Sequence, residues 1–268
     1  WIQDNWCSDL NNGSTGGHAD FFQVPLGSFW CKDIVVERNY VEGNLSDLAD
    51  DGDAAIAQIA SGAFAAATHT NVVFRNNIFN QVRGTLSDSI DGLKMHNNLF
   101  YRTPRAEGAV STGGGENGSS WGTEWKGNIF FESGGGEASN SGWYYNGTDG
   151  AQATNTTVTA DYNFVCGTNG AAKLVAPPHS SLRWGAAPTT LEANGINGGD
   201  PLFVNASAGD FRLRSTSALL NAGADLSSEF TTDFLGRTRS GWSMGPFESP
   251  GEPSPRPRAV VQSLQILN

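Results

Sequence analysis

The sequence predicts an all-β chain folded as a right-handed parallel β-helix, a single-stranded solenoid. Three observations predict it. A short strand motif ending in Asn recurs along the chain, the copies are separated by unequal lengths, and apolar and polar residues alternate inside each copy. A constant motif with variable spacing is the mark of stacked coils whose strands pair with the coils above and below while the connections change length freely.

The copies occupy residues 34–41, 72–79, 93–100, 123–130 and 158–165, and Val72-Val73-Phe74-Arg75-Asn76-Asn77-Ile78-Phe79 is representative. Each is a β-prone run, then Asn, then two apolar or aromatic residues. Residues 1–7 fit a sixth copy with Asn5 in register, so Asn5, Asn39, Asn77, Asn98, Asn128 and Asn163 stand 34, 38, 21, 30 and 35 residues apart. At period two, Ile34 and Val36, Val72 and Phe74, Leu93 and Met95 share a face and form the expected core. Glu37, Arg75, His96, Lys126 and Asp161 take the other face and are expected in solvent. The recurring Asn is expected to pile into a ladder of side-chain hydrogen bonds where the chain turns.

A second strand precedes these copies. Aligned on Phe21, Ile56, Leu86 and Val110 as inward residues, it sets His18, Asp53, Arg83 and Glu107 in one column on its outer face. Beside that column run small residues, Ala55, Thr85 and Ala109 among them. A strip floored with small side chains and edged by titratable ones, on coils about 4.8 Å apart, suits an extended polymer with a regular repeat.

These repeats resemble the bacterial right-handed β-helix proteins of the pectate-lyase-like superfamily, over residues 1–170. A further run, from Gly199-Asp200-Pro201 through Gly209-Asp210-Phe211, Thr232-Asp233-Phe234 and Met244-Gly245-Pro246-Phe247-Glu248, is similar to the closing segment of many secreted β-helix proteins. The resemblance implies a secreted or cell-surface protein that handles polysaccharide. The chain is accordingly read as the C-terminal part of a solenoid, with coils at 1–170, last coils and a capping segment over the final coil at 171–248, and a Pro-rich linker and tail at 249–268. In the capping segment Asp200, Asp210 and Asp233 are expected to hold turns.

Composition narrows the partner. Of 268 residues 34 are Gly, the net charge is −11, and no apolar run approaches the roughly 18 residues of a membrane span. Against that acidity, residues 75–105 carry Arg75, Arg83, Lys94, His96, Arg102 and Arg105 and only Asp88 and Asp91. Such an island is too small for nucleic acid but draws a uronate polymer. The expected activity is therefore a lyase on an acidic glycan. His18 or Lys94 would be the base and Asp20, two residues from His18, its orienter. Arg83 with Arg102 or Arg105 would neutralise the substrate carboxylate.

A glycoside hydrolase with Asp53 and Glu107 as its carboxyl pair is one alternative, since two coils separate them by roughly 9.6 Å. A non-catalytic adhesin or filament subunit that associates through its coil ends is the other. The acidic turn at residues 46–53 offers Asp50 and Asp51 as oxygen ligands for calcium. The three cysteines, Cys7, Cys31 and Cys166, have neither zinc-site spacing nor an even count.

Overall fold

The computed structural model describes residues 1–10, 19–24, 31–43, 54–59, 69–86, 90–103, 111–112, 123–133, 158–167 and 192–248. The strands follow one another coil by coil. The first coil holds β1 (Ile2–Gln3), β2 (Trp6–Leu10) and β3 (Ala19–Val24), and the second β4 (Lys32–Glu37), β5 (Tyr40–Gly43) and β6 (Ala54–Ile59). The third holds β7 (His69–Arg75), β8 (Ile78–Asn80) and β9 (Arg83–Leu86), and the fourth β10 (Ile90–Asp91), β11 (Lys94–His96), β12 (Leu99–Tyr101) and β13 (Ser111–Thr112). After them come β14 (Thr123–Lys126) and β15 (Ile129–Phe131), then β16 (Val158–Asp161) and β17 (Phe164–Cys166), and last β18 (Ile196–Asn197), β19 (Phe203–Asn205) and β20 (Asp210–Leu213).

Three parallel sheets result. Sheet A runs β1-β4-β7-β11-β14-β16 with β10 also on β7, sheet B runs β2-β5-β8-β12-β15-β17-β18, and sheet C runs β3-β6-β9-β13. The chain is thus a parallel β-helix. It has one strand more per coil than the sequence motif suggested, because the two apolar residues after each Asn begin sheet B.

The bends between sheets depend on left-handed residues. Asp4, Arg38, Asn76, Asn97, Gly127 and Tyr162 all have positive φ and each directly precedes a ladder Asn. At Gly127 (φ +68) the conformation favours glycine, and an added Cβ would stand 3.0 Å from the Asn97 amide. A left-handed L-residue costs about 1–2 kcal/mol, and the bend also interrupts the strand-to-strand hydrogen bonds. The Asn side chains restore them. Asn98 Oδ1 accepts the backbone N–H of Asn77 at 3.0 Å and its Nδ2–H at 2.9 Å. Asn98 Nδ2 in turn donates to Asn128 Oδ1 at 3.1 Å and to the Phe74 carbonyl at 2.9 Å. The same pattern runs from Asn5 through Asn39, Asn77, Asn98 and Asn128 to Asn163, so the expected ladder is present in a single file.

Inside the coils, Val36, Phe74, Met95, Trp125 and Ala160 stack in register on sheet A and all are buried. On sheet B the second residue after each Asn faces inward: Val41, Phe79, Phe100, Phe130 and Val165 join the same core. The rings of Phe79 and Phe100 stack at 5.4 Å and those of Phe100 and Phe130 at 4.8 Å. Each such ring contributes about 2–3 kcal/mol by burial.

The first residue after each Asn faces out, yet it too is apolar. Tyr40, Ile78, Leu99, Ile129 and Phe164 are buried against Phe203, Phe211, Leu213, Leu219, Met244 and Phe247 of the C-terminal segment. This segment was expected to sit over the final coil. Instead it is a strap along the flank of several coils, because the outer face of sheet B is as apolar as the inner one and must be covered. The left-handed bend residues anchor it: Asn76 Nδ2 donates to the Thr232 carbonyl at 2.9 Å, Asn97 Nδ2 to that of Ser243 at 2.9 Å, and Gly245 N–H to that of Gly127 at 2.6 Å. Asp200 and Asp233 hold turns, accepting the amides of Leu202 and Leu235, whereas Asp210, also expected at a turn, opens strand β20 and pairs with the Arg212 side chain.

Candidate functional site

The outward file of sheet A next to the strap reads Glu37, Arg75, His96, Lys126, Asp161. Expected in solvent, Glu37 and His96 are 3% and 0% exposed. For His96 the strap explains this, and Glu37 is paired with Arg38 and Arg75. Phe230 lies over His96, centroids 6.4 Å apart, and over the Arg75 guanidinium at 5.1 Å, whose charge is met by Glu37 at 2.6 Å. Glu124, one position across from that file, takes His96 Nε2 and Lys126 Nζ at 2.7 Å each. These two contacts, His96 first, outweigh burial and hold its carboxyl down at about 2.

That depression has a pH consequence. A carboxyl held below its ordinary 4.5 contributes stability above pH 4.5 and loses it as pH falls toward 2. Glu124→Gln is therefore expected to be less stable than wild type at pH 7 in urea, with the gap closing as pH falls from 4.5 to 2.5. A gap unchanged across that range would refute the assignment.

Lys94, expected as base or substrate contact, is engaged by Glu229 of the strap. Arg102 lies at the bend beyond sheet B, over the Tyr101 ring at 4.9 Å and bonded to Glu132 at 2.7 Å. Between Lys94 and Arg102 the chain turns and runs through β12, so the structure does not bring them to one place. Of the basic island, the four members whose side chains are described, Arg75, Lys94, His96 and Arg102, are each matched to a carboxylate.

His18, Asp53, Glu107, Arg105, Asp50 and Asp51 lie outside the described residues. Asp20 and Arg83 are placed by their backbones in β3 and β9. The register here differs from the expected one. Asp20 pairs with Ala55 as aligned, but Ala55 pairs with Arg83, which had been set opposite Asp53. Leu86 pairs with Ala57 and Thr112, not with Ile56 and Val110. One extra residue in β9 between these partners makes a bulge, and a bulge shifts every pairing beyond it. The file is then Asp20, Ala55, Arg83. Its ends are two rungs apart, roughly 9.6 Å at a strand spacing of about 4.8 Å.

The sequence reading missed a buried pair at the entry to sheet A. Cys31 Sγ lies 3.2 Å from His69 Nδ1, and the Cys31 backbone N–H donates to the same nitrogen at 2.9 Å. That amide fixes Nδ1 as an acceptor, so the imidazole there cannot carry the proton that a thiolate–imidazolium pair requires, and burial pushes the thiol up. The pair is structural. A signal for it existed, since Cys31 and His69 are separated by 38 residues, the interval between Asn39 and Asn77. Among the described residues no three His, Cys, Asp or Glu side chains gather as a metal cluster, and no helix is long and apolar enough to cross a membrane.

The geometry defines the class, a parallel β-solenoid with a buried Asn ladder and a lateral strap. No protein-family model matches the chain, and no curated protein matches it.

Proposed function

We propose that this β-helix is a secreted or cell-surface protein that holds an extended acidic polysaccharide along sheet C and cleaves it by elimination. The observation that supports the reading is the file of Asp20, Ala55 and Arg83, an acid and a base set two rungs apart around a small residue. In the chemistry, His18 removes the proton beside the uronate carboxylate. The C–H electrons form the new double bond as the glycosidic C–O bond breaks, the departing sugar oxygen takes a proton from water, and Arg83 neutralises the carboxylate charge that builds up. Asp20 orients the base, and calcium at Asp50 and Asp51 is the ion that would assist.

Elimination leaves an unsaturated sugar that absorbs near roughly 235 nm, a product signature of this reaction class. The test is that absorbance on pectate, alginate and glycosaminoglycans, with and without a chelator. Wild type is expected to generate it on at least one, and Arg83→Ala to lose about 100-fold, the usual loss of one charge-stabilising group. Absence of product from all three sinks the lyase reading. Pairing of Arg75, Lys94 and Arg102 with Glu37, Glu229 and Glu132 favours a second reading, a β-helix that binds glycan or serves as a surface component without chemistry. Retention on a glycan affinity gel without product is its expected result.

A further inference from the structure

Two buried residues fix the faces of sheet C. Ile56 in β6 and Val82 just before β9 are both fully buried in the inner core. Their neighbours Ala55, Ala57 and Arg83 therefore hold outer positions, since faces alternate along a strand. Leu86, three residues after Arg83, returns to the inner face by alternation alone, and the sequence places it there. The register does not. Arg83 pairs with Ala55 and Leu86 with Ala57, so Gly84 and Thr85 together stand against Ile56 alone. That extra residue cancels one alternation and sets Leu86 on the same face as Arg83.

We propose that Ala57 and Leu86 form an apolar rail beside the charged file, and that the rail takes the C–H face of a sugar chain lying along the coils. This rests on the reading of sheet C as a polysaccharide trough. Ala57 and Leu86 stand on successive rungs, with Thr112 on the rung beyond. Two positions away along the strands, about 6.5 Å, runs the file of Asp20, Ala55 and Arg83. The two files overlap at β6 and β9. There Ala55 and Ala57 supply a floor of small residues, and Arg83 and Leu86 stand side by side on the next rung. A uronate ring carries its hydroxyls and carboxylate around the edge and C–H groups on its faces. Arg83 matches the edge and Leu86 the C–H face, so the polymer is held from both sides. Phe22, which heads the Ala57 file, is half-buried and packs against the inner core, so the rail begins at Ala57. The bulge creates the subsite, because without it a cation and an apolar residue three apart fall on opposite faces.

Leu86→Gln tests the placement and the ligand together. On the outer face it is expected to leave the thermal midpoint within about 2 °C of wild type, as surface changes do. A drop of more than about 6 °C, the cost of breaking up a packed core, would return Leu86 to the inside and overturn the rail. Binding is read as retention on pectate, alginate and glycosaminoglycan gels. Leu86→Gln is expected to weaken it about 10-fold, the worth of one apolar contact, at low and high salt alike. Arg83→Ala is expected to weaken it chiefly at low salt, where a charge contact is least screened. Retention weakened in Arg83→Ala but unchanged in Leu86→Gln overturns the rail and leaves the polysaccharide reading standing. Wild type retained on none of the gels overturns the polysaccharide reading and the rail with it.

Discussion

Asn98→Ala is expected to lose about 3–5 kcal/mol of stability, enough to leave a domain of ordinary stability mostly unfolded under mild denaturant. The figure follows from what is stranded. Asn98 Oδ1 accepts both the backbone N–H and the side-chain N–H of Asn77, and all of these groups are fully buried. Each buried donor left without an acceptor costs about 1–3 kcal/mol, and the Phe74 carbonyl loses a donor in the same change. Asp in place of Asn keeps the acceptors but sets a charge against Asn128 Oδ1, so it is expected to do no better.

The matched control is Asn5→Ala. Asn5 is half-buried, and its side chain gives hydrogen bonds to Asn39 and to the Gln3 carbonyl. The expected loss is below about 1 kcal/mol. Urea denaturation of the two variants gives the comparison, and equal losses would mean that the ladder does not brace the bends.

Arg239→Ala is expected to detach the strap at a cost of about 3–5 kcal/mol, the usual penalty for removing one partner of a buried ion pair. Arg239 is buried between Phe230 and Trp242, whose ring centroids lie 5.8 and 5.5 Å from its guanidinium carbon. It donates to Asn76 Oδ1 on the third coil at 2.6 Å, to the Gly245 carbonyl at 2.9 Å and to Glu248 Oε2 at 3.3 Å. Burial lowers it only to about 10, so it remains charged at neutral pH. Without it, the carboxylate of Glu248, which also gathers the amides of Ser240, Gly241, Trp242 and Ser243, is a buried charge without its cation.

Loosening the strap bares Tyr40, Ile78, Leu99, Ile129 and Phe164. The expected readouts are a gain of dye binding to apolar surface and protease cutting confined to residues 200–248. Arg239→Lys is expected to rescue little, because one ammonium cannot reach three acceptors in a planar fork. A variant with wild-type protease resistance would show that apolar packing alone fixes the strap.

The fold was readable for a physical reason that can be named at particular residues. An Asn ladder needs Asn at each rung, so Asn39, Asn77, Asn98, Asn128 and Asn163 mark the coils whatever the lengths between them. Inward positions such as Phe74 and Met95 followed from alternation. Alternation does not say what lies outside a strand. His96 sits on the outer face and is nonetheless buried, because a segment more than a hundred residues later folds over it, and Glu37 on the same face is paired with Arg38 and Arg75. The candidate site suffered in the same way. Its register on sheet C turned on one extra residue in β9, and a single-residue bulge leaves no periodic trace in so short a strand.

Sequence alone therefore determined the solenoid, its rungs and its inner core, all of which arise from local period and from one side chain repeated at each bend. Tertiary structure decided where the strap lies, which charges face one another and where the ladder stops. Those depend on contacts between residues with no common period, such as Arg239 with Asn76 or Asn163 with Glu192, and only the folded chain brings them together.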